Sequence, residues 1–312
     1  MLKAPVFLVG AERSGSTMLR LMLNDHPEVC WLNEFEYAVD KINNDGICQN
    51  LSDYKEWLST HRTFSATGFC VEKNLNYPQL VDSFLSQKKE IEQKKYIGAT
   101  VHRHFDRLLK IWPDAKFIHI LRDPRDVSKS VLNIGWVGHI FYGPDRWIDA
   151  EKTWDRLVQN ITPDRYVEIR FEKLLENPER ELLSAWKLIG VKPENYVMNF
   201  WKKSTYSKPD PKLSLQWKRK LTSKEVQLIE SRVGTMLNSK GYNHSGFDTI
   251  KLSWFDHFHM RTINRVGRAM KRRRRYGTTM WIINILTPLI PIKKLQKTVR
   301  LKLNEIERSQ LK

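Results

Sequence analysis

Apolar residues along the chain occur either in short continuous runs or at helical spacing. The runs PVFLVG (5–10), KFIHIL (116–121) and RYVEIRF (165–171) are rich in β-branched and aromatic residues and have the length of buried strands. The segments STMLRLMLN (16–24) and PERELLSAWKLI (178–189) instead place apolar residues on one side of a helix. Strands that alternate with helices predict a parallel sheet covered on both faces, that is, a three-layer α/β fold.

A glycine loop separates the first predicted strand from the first predicted helix. From Gly10 to Thr17 it reads GAERSGST, close to the pattern GxxxxGK[ST] of ATP-binding phosphate loops, with Gly15 at the second glycine position. Ser16 replaces the lysine that reaches the terminal phosphates of ATP, and a positive charge occurs earlier, at Arg13. Backbone N–H groups at the start of a helix attract anions, so the loop is expected to bind a phosphate. An ordinary tight turn before a helix is the alternative.

The strand KFIHIL is followed by a residue suited to an anion rather than to a metal ion. Arg122 stands where a magnesium-dependent nucleotide hydrolase usually has an aspartate. Asp123 and Pro124 fit the N-cap and the first position of a helix, and Ser130 lies eight residues after the arginine. A guanidinium fork with a nearby hydroxyl suits a second phosphate. The alternative is a surface arginine paired with Asp123 or Asp126.

Composition limits the class of protein. The chain has 312 residues, of which 41% are hydrophobic, enough for one large α/β domain with an appendage or for two small domains. Its three cysteines, Cys30, Cys48 and Cys70, form no CxxC pair, so a zinc site is not expected and a reducing compartment is. The apolar start APVFLVGA reads as a buried strand rather than a secretory signal, so we expect a cytoplasmic protein.

The net charge of +18 is concentrated at one end of the chain. Residues 251–312 contain 16 Lys or Arg and 3 Asp or Glu, a net charge of +13, which leaves +5 for residues 1–250. This difference predicts a boundary near residue 250 between a mildly basic globular domain and a basic helical extension. Anionic partners are expected mainly at the extension.

The extension combines apolar and basic residues in a helical pattern. Five apolar residues recur at helical spacing, namely Phe255, Phe258, Ile263, Val266 and Met270. Basic residues fill other positions: Arg261, Arg265, Arg268 and the run 271–275. The segment TTMWIINILTPLIPI that follows is interrupted by two prolines and is shorter than the ~20 residues that span a bilayer. A basic amphipathic helix followed by an apolar hairpin predicts an anchor on an anionic membrane surface. A helical cap with a solvated basic face, and a surface for an anionic polymer, remain open.

Four segments occur in the order found in the sulfotransferases that use 3′-phosphoadenosine 5′-phosphosulfate (PAPS). GAERSGSTML resembles the 5′-phosphosulfate loop of that family, and FIHILRDPRDVSKSVL resembles its 3′-phosphate motif. YVEIRFEKLLENPERELLSAWKLIGV and LQWKRKLTSKEVQLIESRVGTMLNSKGY are similar to two later family segments. The resemblance covers roughly residues 4–243 and is to the bacterial, tyrosylprotein-sulfotransferase-like branch. It implies a metal-independent transfer of a sulfuryl group from PAPS to a hydroxyl.

The resemblance also implies which residues hold the donor. Those around the 5′-phosphosulfate would be Arg13, Ser14, Gly15, Ser16 and Thr17. Those around the 3′-phosphate would be Arg122 and Ser130, and Lys218 would lie in a loop over the donor. PAPS has no γ-phosphate, which explains why no loop lysine is needed. Arg13 would stabilise the negative charge that grows on the bridging oxygen as the sulfuryl group leaves.

The general base has more than one candidate. In HPEVCWLNEFEY, Glu34 falls where the tyrosylprotein branch has its catalytic glutamate, and Glu36 is two residues further on. In an extended segment the two would share a face, and their repulsion would raise the pKa of one of them. Other branches use a histidine, so His102 and His104 are rivals. Many members have Lys-x-Pro where this chain has Thr100 and His102, so His102 is also a candidate for the missing positive charge.

The acceptor is expected to be a hydroxyl of a glycan or glycolipid, with a small hydroxylated metabolite or a tyrosyl peptide as alternatives. The aromatic segment 133–147, with Trp136, Tyr142 and Trp147, is the candidate acceptor wall, although these rings fit a core equally well. A P-loop kinase and a nucleic-acid-binding protein are remoter alternatives. Nucleic acid is not an expected partner because residues 1–250 lack a recognisable reading helix or aromatic platform.

Overall fold

A computed structural model describes residues 1–192 and 199–310 of the chain. Residues 193–198, inside the family-like region, and 311–312, at the end of the extension, lie outside this description. The chain divides into two compact units. The first consists of Met1–Lys55, Phe69–Val127 and Asp145–Lys220. The second consists of Glu56–Gly68, Ser128–Pro144 and Leu221–Lys312.

The first unit is built on a parallel sheet. Its strands are β1 (Val6–Val9), β2 (Val29–Glu34), β3 (Tyr96–Val101), β4 (Lys116–Leu121) and β5 (Tyr166–Arg170). They lie in the order β2-β3-β1-β4-β5, with β1 in the centre. All four pairings are parallel. The strands predicted at 5–10, 116–121 and 165–171 are therefore confirmed, as is the parallel sheet.

Helices connect the strands and follow the last of them. They are α1 (Ser16–Asn24), α2 (Leu51–Leu58), α3 (Arg62–Ser65), α4 (Tyr77–Glu92), α5 (Leu108–Ile111), α6 (Pro124–Asn133), α7 (Asp145–Val158), α8 (Phe171–Glu176), α9 (Pro178–Ile189), α10 (Trp217–Lys220), α11 (Ser223–Val233), α12 (Met236–Ser239), α13 (Trp254–Leu286) and α14 (Lys293–Gln310). The helices predicted at 16–24 and 178–189 are α1 and α9. Asp123 caps α6 as predicted, because its Oδ1 accepts a hydrogen bond from the backbone N of Arg125 at 2.9 Å.

Alternate residues of the central strands pack on opposite faces of the sheet. Leu8 and Ile118, paired between β1 and β4, belong to the same buried cluster as Leu19 of α1 and Leu182 of α9. On the other face, the ring of Phe7 lies 5.2 Å from the ring of Trp112, centroid to centroid. Helices thus cover both faces, which confirms the three-layer α/β fold and holds the carboxyl ends of the strands at one edge.

The second unit contains the basic extension. α13 has non-helical backbone angles at Gly277 (φ 75°, ψ 159°) and ends at Leu286, followed by a short 3₁₀ helix at Thr287–Leu289 and then by α14. The segment predicted as an apolar hairpin is therefore the part of α13 after the kink at Gly277 and the turn that follows, because its first nine residues are helical before Pro288 is reached. Among the described residues, no helix is long and apolar enough to cross a membrane.

Candidate active site

The glycine loop connects β1 to α1 at the carboxyl edge of the sheet. Gly10, Arg13 and Gly15 have positive φ angles of 136°, 71° and 94°. A Cβ atom on Gly15 would lie 2.1 Å from the ring of Phe171, and one on Gly10 would lie 2.4 Å from the backbone oxygen of Ile120. Both positions therefore require glycine, for the backbone angle and for lack of space.

The start of α1 presents polar groups that suit an anion. No side chain caps this helix, whose N-cap residue is Gly15. Ser14 is fully buried, and among the described residues its Oγ has no hydrogen-bond partner. Ser16 is buried, Thr17 is half-buried and Arg13 is exposed. A buried hydroxyl without a partner beside a helix N-terminus fits a bound phosphate or sulfate group.

Arg122 extends from the end of β4 towards the glycine loop. Its Nη1 donates to the backbone oxygen of Arg13 and its Nη2 to that of Leu213, each at 3.2 Å. The guanidinium group lies 4.4 Å from the ring centroid of Phe171 and 3.5 Å from Asp126. Of the two pairings given as the alternative to a phosphate site, the one with Asp126 is thus present. Its buried Nε has no partner among the described residues, so the fork can still donate to an anion.

The other predicted partner of Arg122 is engaged elsewhere. Asp123 accepts from Nε and Nη2 of Arg125 at 2.9 and 2.7 Å. The guanidinium group of Arg125 also lies 3.7 Å from the ring centroid of Trp217. The two oxygens of Asp126 accept from the backbone N atoms of Trp217 (2.7 Å) and Gln216 (3.3 Å). These bonds hold the segment that contains Lys218 against the start of α6.

The two remaining predicted donor residues, Lys218 and Ser130, belong to different units. Lys218 is exposed, with its Nζ 5.7 Å from the ring centroid of Trp217. Ser130 is half-buried in α6 and belongs to the second unit.

The two candidate glutamates have opposite environments. Glu34 is exposed at the end of β2, where the register with β3 shifts between Leu32 and Glu34. Glu36 lies in a 3₁₀ helix and is only 6% exposed. The shared face expected of an extended segment is therefore absent. Burial raises the pKa of Glu36 most, the charge of Glu34 raises it further, and His102 and Arg103 oppose the shift.

His102 connects Glu36 to the glycine loop. Its backbone N donates to Oε1 of Glu36 at 3.0 Å. Its Nδ1 lies 3.0 Å from the backbone oxygen of Gly10, and its Nε2 lies 3.4 Å from Oγ of Ser16. A carbonyl oxygen can only accept, so Nδ1 donates to Gly10, and Nε2 is left facing the serine hydroxyl. The rival His104 is exposed and precedes a 3₁₀ turn, and partial burial and the charge of Arg107 lower its pKa.

The three rings of the predicted aromatic wall differ in burial and belong to different units. Trp147 is fully buried, and its Nε1 donates to the backbone oxygen of Arg122 at 2.9 Å, so this tryptophan belongs to the core. Trp136 and Tyr142 are half-buried in the second unit, and Arg232 lies 5.9 Å from the ring centroid of Tyr142. Among the described residues, no cluster of His, Cys, Asp and Glu could hold a metal ion.

The model of the sulfotransferase family matches residues 5–193, more than half of the chain. The chain belongs to the sulfotransferase family. The prediction made from the four sequence segments is therefore confirmed at the level of the family, and with it the enzyme class.

Solved structures agree with this family fold. The sulfotransferase domain of the Synechococcus PCC 7002 olefin synthase superposes with a TM-score of 0.52 and 19% identity, covering 75% of this chain and 96% of that domain. The sulfotransferase domain of the curacin biosynthetic pathway gives 0.51 and 16% identity, covering 78% and 99%. At these identities the likeness concerns the fold.

A curated relative is similar over a shorter stretch. The omega-hydroxy-beta-dihydromenaquinone-9 sulfotransferase Stf3 of Mycobacterium bovis is 31% identical over 97 residues, 27% of this chain. The match spans only 25% of the length of that relative.

The sulfotransferase-family site contains residues that the sequence pattern did not single out. Phe171 packs over Gly15 and under Arg122. Arg20 of α1 is partly buried, which lowers its pKa, and the charges of Tyr206 and Glu34 oppose that shift. On the sequence, Arg20 looks like an ordinary solvent-facing helix residue. Its proximity to Glu34 depends on how α1 packs beside β2, which no local pattern specifies.

Proposed function

We propose that this chain transfers a sulfuryl group from PAPS to an acceptor hydroxyl. The observation that carries the proposal is the buried Oγ of Ser14, which lacks a partner among the described residues and lies at the start of α1, with Arg122 bonded to the same loop. A kinase would need the loop lysine, whose place Ser16 takes.

The donor residues have distinct proposed roles. Backbone N–H groups from Ser14 to Thr17, with the hydroxyls of Ser16 and Thr17, hold the 5′ group. Arg13 stabilises the charge on the leaving oxygen. The remaining members of the donor site, Arg122, Ser130 and Lys218, hold the 3′-phosphate and cover the nucleotide. In the reaction, the sulfur–oxygen bond to the donor phosphate breaks while a sulfur–oxygen bond to the acceptor forms.

Glu34 is the proposed general base. Because it is exposed at the end of β2, an acceptor hydroxyl can reach it, and the acceptor proton moves to its carboxylate. His102 is the rival, and both of its ring nitrogens are engaged by Gly10 and Ser16, which favours a role in holding the loop.

For the acceptor we propose a hydroxyl of a glycan or glycolipid, with a small hydroxylated metabolite or tyrosyl peptide as alternatives. By its name, the mycobacterial relative acts on a hydroxylated menaquinone, which supports an acceptor carried by a lipid. We further propose that residues 1–250 carry the chemistry and that 251–312 place it at a membrane. The unpaired state of Cys30, Cys48 and Cys70 is compatible with the proposed cytoplasmic location.

The test begins with donor binding. Calorimetry should detect binding of 3′-phosphoadenosine 5′-phosphate (PAP) and much weaker binding of ADP with magnesium. A screen with sulfur-labelled PAPS and a panel of glycolipids, glycans, small alcohols and tyrosyl peptides then identifies the acceptor. Stronger binding of ADP with magnesium than of PAP would overturn the proposal, as would ATP-dependent phosphorylation of an acceptor without sulfuryl transfer.

A further inference from the structure

The face of α13 that packs within the second unit is polar and small rather than aliphatic. Oδ1 of Asn264 accepts from the backbone N atoms of Gly138 (2.7 Å) and His139 (3.3 Å). A Cβ atom on Gly267 would lie 2.8 Å from Cα of Gly138, so the two backbones are in close contact. One turn further on, Lys271 donates to the backbone oxygen of Leu132.

Met260, one turn before Asn264, is buried, whereas other apolar residues of α13 lie on other sides of the helix and are exposed. Trp254, Phe255 and Phe258 are 78%, 65% and 56% exposed, and Val266 and Met270 are 52% and 53% exposed. Of the 21 large hydrophobic side chains that are exposed in the described residues, 14 lie between Trp254 and Leu301. Soluble surfaces rarely expose apolar residues in such a concentration, which marks an interaction site.

A row of arginines lies beside this apolar surface. Arg261, Arg265, Arg268 and Arg272 follow one another at intervals of four, three and four residues, so they occupy one line along α13, and all four are exposed. At 100° per residue this line lies between the packed face and Phe255, Val266 and Met270, and towards the start of α13 it continues through Phe258 and Trp254. Trp254 and Phe258 begin the apolar surface, with their rings stacked at 5.8 Å.

We propose that α13 lies flat on an anionic lipid surface. Its apolar side chains would enter the boundary between headgroups and acyl chains, and its arginine row would contact the headgroups. Only this occupant uses both features. A second copy of the chain would bring two strongly basic extensions together, and an acidic polymer would leave the aromatic side chains in water. The inference does not depend on the proposed sulfuryl transfer.

The test is sedimentation of the full-length chain with vesicles. We expect binding to vesicles of phosphatidylcholine with one quarter phosphatidylglycerol at 50 mM salt, at least tenfold weaker binding at 500 mM salt, and little binding to pure phosphatidylcholine. These expected differences in binding follow from the headgroup charge and from its screening by salt. Equal binding to both kinds of vesicle, or no binding to either, would overturn the proposal.

Paired variants test the two features of the surface. Trp254→Ser/Phe258→Ser should weaken vesicle binding at least tenfold, whereas Ile91→Ser/Leu183→Ser, which removes two exposed apolar side chains of the first unit, should not. A similar loss in both variants would refute a specific role for α13. If a variant still binds PAP, its loss of vesicle binding is not caused by a loss of fold. A failure of the proposed function would appear separately, as absent PAP binding in the unaltered chain.

A second pair separates position from net charge. Arg261→Glu/Arg265→Glu and Lys152→Glu/Lys187→Glu change the net charge equally, and only the first should abolish vesicle binding. Quenching of tryptophan fluorescence by brominated lipid should fall in Trp254→Phe. The proposal fails if the chain does not bind vesicles but forms a dimer, and Phe255→Ser abolishes that dimer. It fails equally if the chain binds an acidic polysaccharide and no anionic vesicle.

Discussion

Arg122 is the residue through which the glycine loop, Phe171 and the segment before α10 meet. Its guanidinium group donates to backbone oxygens of Arg13 and Leu213, and its Nε is still without a partner among the described residues. Its other partners are Asp126, at a distance of 3.5 Å, and these two carbonyls, which are modest partners for a full charge, so the fork can still bind a closer anion.

Arg122→Ala should therefore weaken PAP binding far more than AMP binding, because AMP lacks the 3′-phosphate. The loss for PAP should be about 1.5–3 kcal/mol, or roughly 10- to 150-fold. Calorimetry with both nucleotides measures the difference, and Arg156→Ala, at an exposed arginine of α7, is the control. Equal losses for PAP and AMP would exclude the 3′-phosphate role.

Glu34→Gln keeps the size of the side chain but removes the proton acceptor. Turnover should fall about 100-fold or more while PAP affinity is nearly unchanged. His102→Ala should instead weaken PAP binding, since it releases Ser16 and Gly10. If Glu34→Gln remains active and His102→Ala is inactive with normal PAP affinity, the histidine is the base.

Glu36 makes stability depend on pH in a direction that can be checked. Burial raises its pKa in the folded state, so above the unfolded value of about 4.3 the folded chain retains a proton that the unfolded chain has lost. The contribution of Glu36 to stability thus falls as pH rises from that value to its folded pKa. Glu36→Gln cannot ionise and still offers an oxygen to the backbone N of His102. In urea unfolding between pH 4 and 8, the stability of the variant relative to that of the unaltered chain should increase as pH rises. A stability difference that does not change with pH would contradict a raised pKa of Glu36.

At the scale of elements, the unit of β1, glycine loop and α1 was predictable because its signals are local. A run of apolar residues, two glycines and helical spacing identify it without knowledge of the rest of the chain. The burial of Glu36 was not predictable, because it depends on a register shift between β2 and β3. The packed face of α13 was also not predictable. It includes the close contact of Gly267 with Gly138, which no apolar pattern marks.

Gly15→Ala should show how tightly the loop is packed. A left-handed backbone costs about 1–2 kcal/mol for alanine, and forcing a Cβ against Phe171 adds ~1–3 kcal/mol. Gly68 is the control, because it also has a positive φ (73°) but a Cβ there would meet nothing within 4 Å. Gly15→Ala should therefore destabilise the chain more than Gly68→Ala in urea unfolding, and it should also weaken PAP binding. Equal losses of stability would show that Phe171 moves aside.

At the scale of the whole molecule, charge and burial are distributed differently. The extension contributes +13 of the +18 net charge. From 251 to 309, however, only Met260, Thr287 and Val299 are buried. The proposed donor residues all precede residue 219. Chemistry and attraction to anionic surfaces are thus carried by different parts of the sequence.

Removal of residues 251–312 should therefore separate the two properties. We expect the remaining 250 residues to stay folded and to bind PAP within about twofold of the full chain, because only two apolar side chains of the extension are buried and each contributes ~1.5–3 kcal/mol at most. Sedimentation with anionic vesicles should be lost, since the remaining charge of +5 is spread over the body. Circular dichroism, calorimetry and vesicle sedimentation on the same preparation check the three expectations. If the shortened chain fails to fold, the contacts of Asn264 and Lys271 with the segment 132–139 are essential to the second unit, and the extension belongs to the core.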